Sequence, residues 1–127
     1  MPKRTTVMIV DDNDMMRTIL RGILRGEAYE VIGEARNGSI AVEMAERLKP
    51  DIVCMDVMMP EKDGLEALLE IKAARPITEI VMITSNADPE TVQNSIENGA
   101  SGFIVKPFNA ARILDTLERI STRLNQK

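Results

Sequence analysis

The sequence predicts an α/β fold: a doubly wound, five-stranded parallel sheet in which each strand is followed by a helix. Three observations carry that expectation. Short, β-branched, largely apolar runs recur along the 127 residues, as in strands covered on both faces by helices. Each run is followed by a segment whose apolar residues repeat at helical spacing. Turn and capping residues punctuate the joins. Right-handed crossovers between such units give a three-layer sandwich.

The first run, Thr6–Val10, precedes a helical face of Met16, Ile19, Leu20, Ile23 and Leu24, with Gly26 as its stop. The second strand is Glu30–Ala35, and Asn37-Gly38 reads as the turn after it. Ala41, Met44, Ala45 and Leu48 mark the second helix, and Pro50 lies just past its end. The third strand is Ile52–Met55. The third helix opens at Asp63, which has the capping-box spacing to Glu66, and carries Leu65, Leu68, Leu69 and Lys72. The fourth strand is Ile80–Ile83. Asp88-Pro89-Glu90 then starts a helix with an N-cap followed by proline. Its apolar face is thin, Val92 and Ile96, before Gly99 ends it. Phe103–Val105 is the fifth strand, and Ile113, Leu114, Leu117, Ile120 and Leu124 line the fifth helix. Asn125-Gln126-Lys127 form a polar end. With no linker or low-complexity stretch, residues 1–127 read as one domain.

Composition narrows the function. The net charge of −4, with basic residues scattered apart from Lys3-Arg4, makes nucleic acid an unexpected direct partner. No run approaches the roughly 18 apolar residues of a membrane span, and the N-terminus has no signal-peptide core. A single cysteine, Cys54, fits a reducing cytoplasm. The absence of histidine removes the usual general base and transition-metal ligand. Tyr29, Phe103 and Phe108 are the only aromatics, so stacking platforms are scarce. The nine methionines read mostly as core filler, with a Met-rich docking surface as the alternative.

The chemistry sits where the strands end. In parallel strands of one sheet the carboxyl ends share an edge, the place where open α/β sheets bind ligands. Here that edge receives Asp11-Asp12, Asp56, Thr84-Ser85 and Lys106-Pro107. Taken alone, Asp11 and Asp12 also fit a helix cap and a solvated acid, and Asp14 an acid in a first helical turn. Asp56 ends an apolar strand, where a carboxylate is costly unless paired or metal-bound. Pro60 restricts the following loop, and Gly64 permits a tight turn. Lys106 at a strand end is placed to pair with an acid or phosphate, and Lys106-Pro107 is a candidate cis bond. Taken together, the carboxylates suit a hard, octahedral Mg²⁺. A carboxylate beside such a cation and a lysine can attack a phosphoryl group.

At this point the chain resembles the response-regulator receiver domains of two-component signalling, most nearly the single-domain, CheY-like chemotaxis type. The resemblance rests on Asp11-Asp12, on Asp56-Val57-Met58-Met59-Pro60 through Asp63-Gly64, on Thr84-Ser85, and on the stretch from Gly99 to Phe108 containing Phe103 and Lys106-Pro107. It implies strand order 2-1-3-4-5, as in flavodoxin-like folds. It implies Asp56 as phosphoacceptor; Asp12, Asp56 and the Met58 backbone carbonyl as Mg²⁺ ligands, with Asp11 acting mainly through water; and Mn²⁺ as a substitute cation. Lys106 would bind the phosphoryl oxygen, Thr84 would be the switch hydroxyl, and Phe103 the switch aromatic, with plain core packing as the rival role for its ring. Ser85 would leave room for that ring to turn inward. The implied partners are a histidine kinase or phosphotransfer protein and a downstream target on the face made by the fourth helix, fifth strand and fifth helix. The protein would be a monomer or a weak phosphorylation-dependent dimer. Its only catalysis would be on itself.

Two positions depart from the CheY-like pattern. Met58 stands where that type is polar and Asn86 where it is acidic, and both would tune loss of the phosphoryl group; a bulky Met58 implies slower self-dephosphorylation. A haloacid-dehalogenase-like phosphohydrolase is the rival enzyme reading, on Asp12-Asn13-Asp14, but the second strand ends in no hydroxyl residue. A flavodoxin-like cofactor binder would need a hydroxyl- and glycine-rich first loop, and this loop is acidic. The sequence is also compatible with a receiver in a phosphorelay, a receiver cut from a larger regulator, or an adaptor that is never phosphorylated.

Overall fold

The computed structural model describes residues 4–26 and 28–124; the polar end at 125–127 and Lys3 of the basic pair lie outside them. The elements alternate throughout: β1 (Thr5–Val10), α1 (Asp14–Leu24), β2 (Tyr29–Ala35), α2 (Gly38–Leu48), β3 (Ile52–Met55), α3 (Gly64–Ala74), β4 (Glu79–Thr84), α4 (Pro89–Glu97), β5 (Gly102–Val105) and α5 (Ala110–Leu124). The strands form one sheet in the order β2-β1-β3-β4-β5, with every neighbouring pair parallel. The fold expected from the sequence is therefore the fold found.

Strand periodicity divides the core in two, because successive side chains point to opposite faces. Val7, Ile9, Ile52, Cys54, Val81 and Ile83 face α1 and α5, where Leu20, Leu24, Ile113 and Leu117 meet them. Met8, Val10, Val53, Met55, Ile80 and Met82 face α2 and α3, against Ala41, Ala45, Ala67, Leu68 and Ile71. Register brings Val10 beside both Ala35 and Met55, and Thr84 beside Val105, so the strand ends are level along one edge. Three of the methionines, Met8, Met55 and Met82, are wholly buried core filler, whereas Met15 and Met58 stand largely exposed.

Several local expectations need correction. Asn37-Gly38 is no free-standing turn: Asn37 caps α2 by accepting from the Ile40 N–H, and Gly38 is the first helical residue. Ile19, Leu69 and Ile96 were expected on buried faces but are half-exposed. In α3 the core side is Ala67, Leu68 and Ile71. In α4 it is Thr91 and Ser95, so the thin apolar face is thinner still. The expected caps Asp63 and Asp88 do hold the first turns of α3 and α4, accepting from Glu66 and Thr91. Gly26 and Gly99 take positive φ after α1 and α4, as helix terminators do.

Candidate functional site

The carboxyl edge of the sheet gathers four of the residues singled out from the sequence. Asp11 and Asp12 follow β1, Asp56 follows β3, and Lys106 follows β5. Lys106 Nζ donates to Asp11 Oδ2 at 2.8 Å and to Asp56 Oδ2 at 3.1 Å. Carboxylate oxygens of Asp11, Asp12 and Asp56 all lie within 4.8 Å of one another. Asp11 and Asp56 are buried, and Asp12 is exposed at the rim.

Backbone geometry fixes this cluster. The Asp11 N–H continues the sheet by donating to the Ala35 carbonyl, and the Asp56 N–H donates to the Val10 carbonyl. The Asn13 N–H donates to Asp11 Oδ1, while the Asn13 side chain caps α1 by accepting from the Met16 N–H. Thus Asn13 is the cap of α1, and the carboxylates of Asp11 and Asp12 stay at the edge. Asp14 pairs instead with Arg17. On the β3 side, the Gly64 N–H donates to the Val57 carbonyl at 2.8 Å. A Cβ on Gly64 would lie 2.1 Å from the Asp56 carbonyl oxygen, so glycine here permits a close backbone approach. The positive φ in this loop falls on Glu61. The same loop is held from α2: the Gly38 N–H donates to the Lys62 carbonyl at 2.9 Å, and a Cβ on Gly38 would collide with that oxygen.

Electrostatics give Lys106 a defined task. Two buried carboxylates repel one another unless a cation lies between them. Burial pulls the lysine's pKa down, but hydrogen bonds and charges of Asp11 and Asp56 outweigh it and hold the ammonium above its ordinary value. Lys106 is therefore charged at neutral pH. Cys54, two residues along the chain from Asp56, is inert: burial pushes its thiol up to about 12.

Of the other predicted residues, only Met58 bonds to one of the acids, through its backbone N–H. Thr84 is wholly buried at the end of β4, and its Oγ1 accepts from the Asn86 N–H at 3.3 Å. The Lys106 N–H donates to the Thr84 carbonyl at 2.9 Å, which ties the ends of β4 and β5 together. Ser85 is exposed, and Phe103 is half-buried against the α2–α3 side of the core. The Met58 N–H donates to Asp56 Oδ1 at 3.3 Å, with its side chain outside, 60% exposed. The Lys106-Pro107 bond is cis. Arg17 donates to the Asp11 carbonyl and pairs with Glu34; its i,i+3 spacing to Asp14 is the one sequence signal for Arg17, and Glu34 has none. The donor set, three hard carboxylates at one point, fits Mg²⁺ chemistry.

A parallel sheet in this order, with three aspartates and a lysine meeting at its carboxyl edge, defines a receiver domain. Residues 7–118 match the family model of the response regulator receiver domain, and the chain belongs to that family. Among particular proteins it is similar to the chemotaxis protein CheY of Listeria monocytogenes, at 44% identity over 113 residues, 89% of this chain and 95% of that one. A CheY-like receiver domain from Methanospirillum hungatei superposes with a TM-score of 0.90 at 26% identity, covering 98% of this chain and 99% of that one. The Borrelia burgdorferi CheX-CheY-BeF3-Mg²⁺ complex contains a chain with a TM-score of 0.88 at 30% identity, covering 91% of this chain and 87% of that one.

Proposed function

We propose that this receiver acts as a chemotaxis-type response regulator that accepts a phosphoryl group on Asp56 and signals by changing a protein contact. One observation carries the reading: a single lysine bridges two buried carboxylates while a third carboxylate stands within ligand range at the rim. A structural ion pair needs one acid, and the surplus of negative charge is what a divalent cation and an incoming phosphoryl group would use.

The chemistry is nucleophilic. An Asp56 carboxylate oxygen attacks the phosphorus of a phosphohistidine or small acyl phosphate; the new P–O bond forms as the bond to the leaving group breaks. Asp11, Asp12 and Asp56, with the Met58 carbonyl, would hold Mg²⁺, or Mn²⁺ in its place, which supplies charge neutralisation on the transferring oxygens. Lys106 then turns from Asp56 to a phosphoryl oxygen. Thr84 leaves its weak bond with Asn86 and donates to the acyl phosphate. Phe103 follows toward the space vacated, with Ser85 leaving room, and the α4–β5–α5 face changes. The phosphoryl group adds about −1.5 to −2 charges at one point. A swing from mostly off to mostly on requires about 5 kcal/mol of differential interaction between the two states.

The donor is a histidine kinase or phosphotransfer protein, and the target binds the switched face in the cytoplasm. Among the described residues no helix is long and apolar enough to cross a membrane. The solved Borrelia relative, bound to CheX with BeF3 and Mg²⁺, supports both the cation and a protein target. The exposed Met58 side chain restricts the water that would hydrolyse the acyl phosphate, with Asn86 on the other flank. The Met58→Asn variant is therefore expected to lose phosphate faster than wild type.

Incubation with acetyl phosphate and Mg²⁺, read by intact mass, tests the assignment. Wild type gains one phosphoryl group, whereas Asp56→Asn gains none and chelation of the cation stops the reaction. Equal labelling of both proteins overturns it.

A further inference from the structure

Arg17 bonds to none of the carboxylates of Asp11, Asp12 and Asp56, yet it is tied to their backbone. It lies one turn into α1, and its side chain is only 16% exposed. Its guanidinium reaches three groups from three segments. Nη1 donates to the Asp11 carbonyl at 2.5 Å. Nη2 pairs with Asp14 in the first turn of α1. Nε lies 3.4 Å from Glu34 Oε1, near the end of β2.

The Asp11 carbonyl belongs to the peptide plane that joins Asp11 to Asp12. The Asp11 carboxylate is held independently, by the Asn13 N–H and by Lys106. Among the described residues the Asp12 carboxylate has no hydrogen-bond or ion-pair partner of its own, so its aim is set by the backbone it hangs from. A planar guanidinium with its donors in fixed directions can brace that peptide against β2 and α1 together, which an ammonium cannot.

Resting on the reading of Asp12 as a cation ligand, we infer that Arg17 is a positioning residue for the divalent-cation site. It clamps the Asp11–Asp12 peptide to Asp14 and Glu34 and thereby aims the Asp12 carboxylate. Charge alone predicts the opposite effect, since a guanidinium near the site repels a cation. Asp14 and Glu34 offset that charge and leave the hydrogen bond to Asp11 as the term that matters. The two roles therefore differ in sign.

Mn²⁺ titration, followed by loss of the free-ion EPR signal, reads the site without any phosphoryl transfer. The Arg17→Ala variant is expected to bind Mn²⁺ roughly ten-fold more weakly than wild type, the low end for loss of a group that orients a metal ligand. Arg17→Lys recovers part of the loss, and Glu34→Gln weakens binding less than Arg17→Ala. Ile23→Ala loosens α1 packing far from the site, lowers the melting temperature and leaves Mn²⁺ affinity unchanged. Unchanged or tighter binding by Arg17→Ala overturns the inference, as does an equal weakening by Ile23→Ala. Should Arg17→Ala fail to fold, Arg17→Lys and Glu34→Gln decide it: wild-type affinity in both overturns it. A wild-type protein that does not bind Mn²⁺, or an Asp12→Asn variant that binds as well as wild type, overturns the cation-site reading itself and the role of Arg17 with it.

Discussion

The carboxyl edge and helix α4 are held by opposite means. At the edge, each polar group of Asp11 has a fixed partner: Ala35 for the N–H, Arg17 for the carbonyl, Asn13 and Lys106 for the carboxylate. On α4 the buried side chains are Thr91 and Ser95, and their hydroxyls bond within their own segment, to Asp88 and to the Thr91 carbonyl. Neither donates to the sheet. Helix α5, on the other side of β5, is anchored by Ile113, Leu117 and Ile120. The difference teaches how a small domain builds a switch. On the proposed function, charge would arrive where the backbone is held on every side, and the helix that follows β4 would have few bonds to lose by shifting.

The largest effect should come from removing the cation at the fixed edge. Lys106→Met leaves two buried carboxylates facing each other and should cost about 3–5 kcal/mol in urea unfolding, as breaking a buried pair does. Added Mg²⁺ should restore more stability to this variant than to wild type; no such recovery would detach the lysine from the cation site.

A direct contrast of the two helices comes next. Leu117→Ala on α5 should cost about 2–5 kcal/mol through lost burial and the cavity left behind. Ser95→Ala on α4 should cost about 1 kcal/mol or less, since only a bond internal to the helix is lost. Equal costs would erase the contrast.

A smaller effect belongs to the loop that carries Asp56. Gly64→Ala places a methyl group against the Asp56 carbonyl, and the strain should cost about 1–3 kcal/mol. The same variant should take phosphate from acetyl phosphate more slowly, a rate that mass spectrometry follows.

The smallest concerns the start of α4. The Thr91 hydroxyl, chiefly, holds the Asp88 carboxyl below its ordinary 3.8; desolvation opposes it, and the backbone N–H groups of Thr91 and Asp88 add to the lowering. A lowered folded-state pKa stabilises above the unfolded value, and that stabilisation is lost as pH falls through the folded one. Protection of the first-turn amides of α4, taken relative to their intrinsic exchange rates, should therefore fall as pH drops below about 3.8 in wild type. Asp88→Asn should lack that dependence.

Much of this was legible in the sequence, and the remainder was hidden for physical reasons. Strand ends carrying Asp11, Asp56, Thr84 and Lys106 could be placed on one edge because parallel strands align their carboxyl ends. Which of two adjacent acids is buried could not be read, because Asp11 and Asp12 differ only in the direction their backbone gives them. Ile19, Leu69 and Ile96 fit helical faces but sit at their margins, where a small core has no more room. Asn37-Gly38 has turn chemistry, yet the Asn37 side chain is used as a cap. Glu34 and Arg17, the partner of the Asp11 carbonyl, come from different elements, and their pairing follows only from the packing of α1 against β2. The cis bond at Pro107 likewise has no local signature beyond the proline.

Hydrogen exchange resolved by peptide, on the protein with and without acetyl phosphate and Mg²⁺, tests the coupling between the two regions most directly. Unmodified protein should exchange faster across Pro89–Glu97 than across Ala110–Leu124. Phosphoryl transfer should change exchange in α4 and β5 and leave α3 as it was, with no change at all in Asp56→Asn. Protection in α4 equal to that in α5, or an α4 indifferent to phosphate on Asp56, would contradict the account.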